Sequence, residues 1–179
     1  MPNEKKRWRW RAYLDDFRQD ATGRYIYTGK HFALVGDERA RKIYFAKLII
    51  FGVLALLATV FPECLPPVEM SRTPLTLLPW ALQLIAVLVA DWSVFRILWH
   101  TTETRAYIYN ATVKTLPVKT AFAAVFAAVT VICQLIYIIL NGISSDFFTI
   151  SRVIGPIATL AAEILLFLTV KAGKWEEIN

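Results

Sequence analysis

Apolar residues fill four long stretches of this chain, and polar residues gather ahead of them and between them. Residues 43–61, 75–99, 120–140 and 153–170 each approach the roughly 20 apolar residues that a helix needs to cross a hydrocarbon layer about 30 Å thick. The pattern predicts an all-α integral membrane protein, a four-transmembrane-helix bundle. A cytoplasmic arm occupies 1–42, the transmembrane domain 43–170 with a cytoplasmic loop at 100–119, and a cytoplasmic tail 171–179. In the arm, Trp10, Tyr13, Leu14 and Phe17 recur at helical spacing, which predicts a short amphipathic helix at the lipid interface. After Gly23, "RYIYTGKHFALV" alternates around Thr28-Gly29-Lys30 and predicts a small β-hairpin. Asp37, following Gly36, is placed to cap a helix that runs on into the first span. The loop stretch "RAYIYNATV" echoes "RYIYTG", and two spans follow each, which sets a duplicated unit against a chance recurrence in an aromatic-rich chain.

Polar positions inside the spans are few, and their spacing places them on single helix faces. Trp80, Gln83, Leu84, Val87 and Asp91 share one face of the second span; Thr130, Gln134, Tyr137 and Asn141 share one of the third. Arg152, Gly155, Thr159 and Glu163 do so in the fourth, and Gly52, Ala55 and Thr59 form a small-residue strip on the first. At about 1.5 Å per residue, Gln83, Gln134 and Thr159 lie roughly 11 to 12 Å from the outer ends, a depth that predicts one hydrogen-bonded layer. Asp91 and Glu163 lie deeper, within about one turn of each other, and no Lys or His shares their level. An ionised carboxylate at such a depth costs about 3 kcal/mol even on the lenient insertion scale. The pair is therefore expected to take a proton, meet water, bind a cation, share a hydrogen bond or dock a basic group of another subunit. Thr120, Ala124 and Ala128 repeat at a spacing that favours close helix contact, within the chain or with a second copy.

Composition narrows the class. With 56% hydrophobic and 19% charged residues and a mean hydropathy of +0.47, an ordinary soluble domain is excluded. Lys and Arg number eleven in the arm, three in the middle loop and two in the tail, against only Arg72 and Arg152 in the two other connections. This asymmetry predicts both termini and the middle loop on the cytoplasmic side, and the polar N-terminal stretch predicts no cleavable signal peptide. It also accounts for the net charge of +6, so the basic balance does not point to nucleic acid. Two cysteines, Cys64 and Cys133, are too few for a disulfide framework or a metal site and read as separate thiols.

Enzyme motifs are missing from the sequence: it has no Gly-rich phosphate loop, no Gly-x-Ser-x-Gly and no His-Glu-x-x-His. The expectation is a small non-catalytic protein of a cell membrane, a bacterial cytoplasmic membrane in the first instance, without cofactor. It would act as an interaction or accessory subunit whose partners are the bilayer and another membrane protein or a second copy. The alternative is a small transporter or channel-like protein that uses Asp91 and Glu163 for protons or cations. Gln83, Gln134, Thr159 and Tyr137 complete the intramembrane candidates.

Overall fold

The structure, a computed structural model, describes residues 17–19, 23–99, 104–142, 144 and 146–178. It is mostly helical, with four helices long and apolar enough to cross a membrane. Helix α1 (Glu38–Val60) starts at Asp37, whose carboxylate accepts from the Ala40 N–H at 3.1 Å, the expected cap. Pro62 denies the helix a further N–H, and the chain leaves it through a 3-10 turn (Phe61–Cys64). After a one-turn helix α2 (Glu69–Arg72), α3 (Pro74–Leu98) begins with proline in its first turn, where a missing N–H does no harm. A short α4 (Ala106–Ala111) precedes α5 (Leu116–Asn141), which stops at Gly142 with φ +79°, a backbone state that favours glycine. Helix α6 (Phe147–Ala172) is capped by Asp146. Hydrogen bonds from the Ser144 side chain and from the Thr149 backbone and hydroxyl hold the Asp146 carboxyl at about 2, below the ordinary 3.8.

The long helices form a closed ring in which α1 packs on α3, α3 on α5, α5 on α6 and α6 back on α1. Of the predicted faces, Gly52, Ala55 and Thr59 on α1, Gln83 and Val87 on α3, Thr130 and Gln134 on α5, and Arg152, Gly155, Thr159 and Glu163 on α6 are buried, whereas Trp80, Leu84, Asp91 and Tyr137 are half-buried and Asn141 is exposed. Of the expected small-residue strip on α5 only Thr120 is fully buried; Ala124 and Ala128 are half-buried, and it is Ala123 and Ala127 that have no exposed surface.

Among the described residues, five short strands lie before, between and after the helices. Strand β1 (Phe17–Gln19) pairs antiparallel with β2 (Tyr25–Tyr27), and β3 (His31–Leu34) is the centre of a second sheet between β4 (Thr104–Arg105) and β5 (Trp175–Ile178). Thr28–Lys30 therefore connects two sheets, because β2 turns back on β1 and β3 finds its partners in the middle loop and the tail. Phe17 opens a strand, not the last turn of an amphipathic helix, since its backbone pairs with Tyr27; Trp10, Tyr13 and Leu14 lie outside the described residues. The second Tyr-Ile-Tyr is helical. Ala106 and Ala111 flank it and favour helix, whereas Gly23 and Gly29 flank the first copy and favour turns.

Candidate functional site

Polar groups line the inside of the ring in successive layers. At the end opposite the three-stranded sheet, Arg152 is 2% exposed although its position reads as part of a polar connection. Capping at Asp146 starts α6 early and carries Arg152 inward. Its guanidinium donates to the carbonyls of Pro66 (3.0 Å) and Leu65 (3.2 Å) and lies 3.4 Å from the Glu63 carboxylate. Leu65 is extended where the 3-10 turn ends, so its carbonyl makes no bond within that turn. The Arg152 carbonyl is open because its helical donor would be residue 156, a proline. Gln134 supplies the missing bond from Nε2 at 3.1 Å.

One layer further in, Gln83 Nε2 donates to Thr59 Oγ1 at 3.2 Å, and Thr59 Oγ1 meets Thr159 Oγ1 at 3.0 Å. Each hydroxyl also has a carbonyl one turn back, Ala55 for Thr59 (2.8 Å) and Gly155 for Thr159 (3.1 Å). The two hydroxyl protons can thus point either way along the chain and leave both donors satisfied. Trp80 Nε1 adds a bond to the Thr59 carbonyl at 3.1 Å. The expected layer of Gln83, Gln134 and Thr159 is accordingly divided. Gln83 and Thr159 meet through Thr59, a residue that reads as packing, while Gln134 belongs to the layer above.

Below the hydroxyls lies an apolar layer with one small residue from each long helix: Ala55, Val87, Ala123 and Ala162. Then come the acids. Glu163 has no exposed surface, and neither its carboxylate oxygens nor those of Asp91 receive a hydrogen bond from a described protein group. A Cβ built on Gly52 would stand 2.7 Å from Asp91 Oδ1, so the missing side chain on α1 makes room for the carboxylate. Lys119 does not approach the acids; its ammonium donates to Ser93 Oγ (2.7 Å) and the Ala111 carbonyl (3.4 Å). A thicker apolar layer with Leu48, Val94, Ile97 and Leu166 closes the sheet side.

Tyr137 stands apart from these layers. It lines an open cavity of about 510 Å³ at the end away from the sheet, together with Glu69, Asn141 and Asp146. Cys64 is exposed, Cys133 half-buried, and both are free thiols. No family model, no curated protein and no solved structure matches the chain.

Proposed function

We propose that the chain is a small, non-catalytic multi-pass protein of the cell membrane that handles protons at Asp91 and Glu163, with its sheet end in the cytoplasm. The observation that carries this reading is the pair of enclosed carboxylates with no donor among the described residues. Something must compensate such groups in a low-dielectric interior, and size decides what. A basic side chain of a partner cannot reach Glu163 through a closed ring that leaves it no exposed surface. A proton can. The side of access follows from the two apolar layers: the one toward the hydroxyls is made of three alanines and a valine, and the one toward the sheet of bulky leucine and isoleucine. Protons therefore enter from the end opposite the sheet, by way of Thr159 and Thr59.

The test is reconstitution of the full chain in liposomes that enclose a pH-sensitive dye, under an imposed pH gradient. Asp91→Asn with Glu163→Gln keeps hydrogen-bonding capacity but removes both titrating groups. Wild type is expected to dissipate the gradient at least tenfold faster than this double variant, with both equally folded in detergent. Equal rates for two folded proteins sink the proposal.

A second reading, an interaction or accessory subunit, has its own support on the outer surface. Trp92 is 62% exposed and stacks on Phe95 (5.7 Å), which meets Trp99 edge-on (5.6 Å). This rib brings a tryptophan about 10 Å in from the helix end, deeper than the interface where such rings settle, and suits a partner helix. Equal dissipation together with co-purification of a membrane partner that Trp92→Ala releases favours this reading over the first.

A further inference from the structure

Where the first turns of α5 run beside the last turns of α6, the outer surface of the ring holds a groove of about 390 Å³. Pro117, Ala121, Phe122 and Val125 form one wall and Phe167 the other, and the lining is apolar apart from Lys171. The Lys171 ammonium lies over the Phe167 ring, 4.6 Å from its centroid, at the end of the groove nearest the sheet. From Pro117 to Val125 the groove follows α5 for eight residues, about 12 Å of helix. Half of a hydrocarbon core about 30 Å thick is about 15 Å, so the groove has the depth of one leaflet and stops short of the other.

We propose that this groove is a binding site for one anionic glycerophospholipid, with an acyl chain along Ala121, Phe122 and Val125 and the headgroup phosphate against Lys171. Three features select that occupant. The groove belongs to two helices long and apolar enough to cross a membrane, so hydrocarbon is what its walls meet. Its length fits a chain confined to a single leaflet. The single charge sits at the mouth and is positive, held by the Phe167 ring in a position where a cation already gains from π-electrons and still presents N–H donors outward. A helix from another protein would fill the apolar walls equally well but would give the lysine no reason to stand at the end; a phosphate gives it one.

The experiment titrates purified full-length protein in detergent with phosphatidylglycerol or phosphatidylcholine of identical acyl chains and reads the first bound lipid by native mass spectrometry. Phosphatidylglycerol is expected to bind about fivefold more tightly, the factor for one lysine at an anionic surface. Lys171→Ala, an exposed change, should remove that preference and leave phosphatidylcholine binding as it was. Ala121→Phe, which fills the groove, should weaken both lipids. If the two lipids bind wild type equally, or if the preference survives Lys171→Ala, the proposal fails and the anionic lipid belongs to other basic residues. Unchanged binding by Ala121→Phe overturns it as well, because the chain then lies elsewhere. This proposal does not depend on Asp91 and Glu163, and the liposome result leaves it unaffected.

Discussion

Gln134 shows what a buried polar residue can be for when it is neither catalytic nor solvated. Its side chain completes the hydrogen bonding of α6 at the one carbonyl that Pro156 leaves without a helical donor. This makes a testable couple of two residues on different helices. Gln134→Leu alone should destabilise the bundle by about 1 kcal/mol, in the range measured for hydrogen bonds between transmembrane helices. In a Pro156→Ala background the helix regains its own donor, so the same substitution should cost much less. Thermal unfolding in detergent of the four proteins of that cycle measures the coupling; strict additivity would show that the Gln134 bond has no such role. The pairing was legible in the chain in principle, because a proline at i+4 always frees the carbonyl at i. Depth alone is a coarser guide: it set Gln134 level with Gln83 and Thr159, although the side chain reaches the layer above. Thr59 reads from the sequence as one of a small-residue strip with Gly52 and Ala55, which hides its polar role. Its hydroxyl is the hub that joins α1, α3 and α6. By contrast Asp91 and Glu163 stand out in any reading, since a carboxylate in an apolar run has no local explanation.

At the level of elements, apolar run length located the four helices closely. Predicted spans of 43–61, 75–99, 120–140 and 153–170 lie within or within one residue of helical segments at 38–64, 74–98, 106–141 and 147–172. The misplacements fall at the ends, where capping chemistry outweighs hydropathy. Asp146 begins α6 six residues before the apolar stretch does and so converts Arg152 from a loop residue into an internal clamp. The strands were harder to place because three of the five have partners far off in sequence, which no local alternation reveals. A close contact lies at Gly155, where an added Cβ would lie 2.6 Å from Pro62 Cγ and 2.7 Å from the Ala58 carbonyl oxygen. Neither neighbour can yield readily, one being a ring and the other backbone of α1. Gly155→Ala should therefore force α6 away from α1 and cost about 1–3 kcal/mol, where alanine in an open helix would help. Because Thr159 lies one turn on, the same variant should also slow gradient dissipation in the liposome assay. A Gly155→Ala protein as stable as wild type would mean that the two helices are not held this closely.

For the molecule as a whole, the sheet does what the helices cannot. Antiparallel neighbours in the ring are tied by connections at each end, but α1 and α6, first and last, have no connection of their own. Strand β3 leads into α1 and β5 follows α6, and their pairing from His31↔Ile178 to Leu34↔Trp175 closes the ring at that end. The Lys30 to Glu177 ion pair at 2.8 Å extends the seam, and Phe32 stacks on Tyr109 of the middle loop at 4.2 Å. Strands of the arm, the loop and the tail thereby lie together at one end of the ring. Closure also bears on the acids, since a ring sealed by β5 keeps α6, and with it Glu163, from drifting outward. Ala33 and Glu176 are paired across the seam, with Cα atoms near the 4.5–5.5 Å expected of opposed residues in an antiparallel pair, a separation that a disulfide can bridge. With Cys64 and Cys133 replaced by serine, Ala33→Cys and Glu176→Cys should cross-link within one chain when purified protein is oxidised. The product should run as a faster-migrating monomer on a non-reducing gel, and its unfolding in detergent should shift to higher temperature because the linked ends can no longer separate. A dimer, or no product under conditions that oxidise a surface control pair, would show that the tail does not close the ring, and would leave the enclosure of Glu163 without its support.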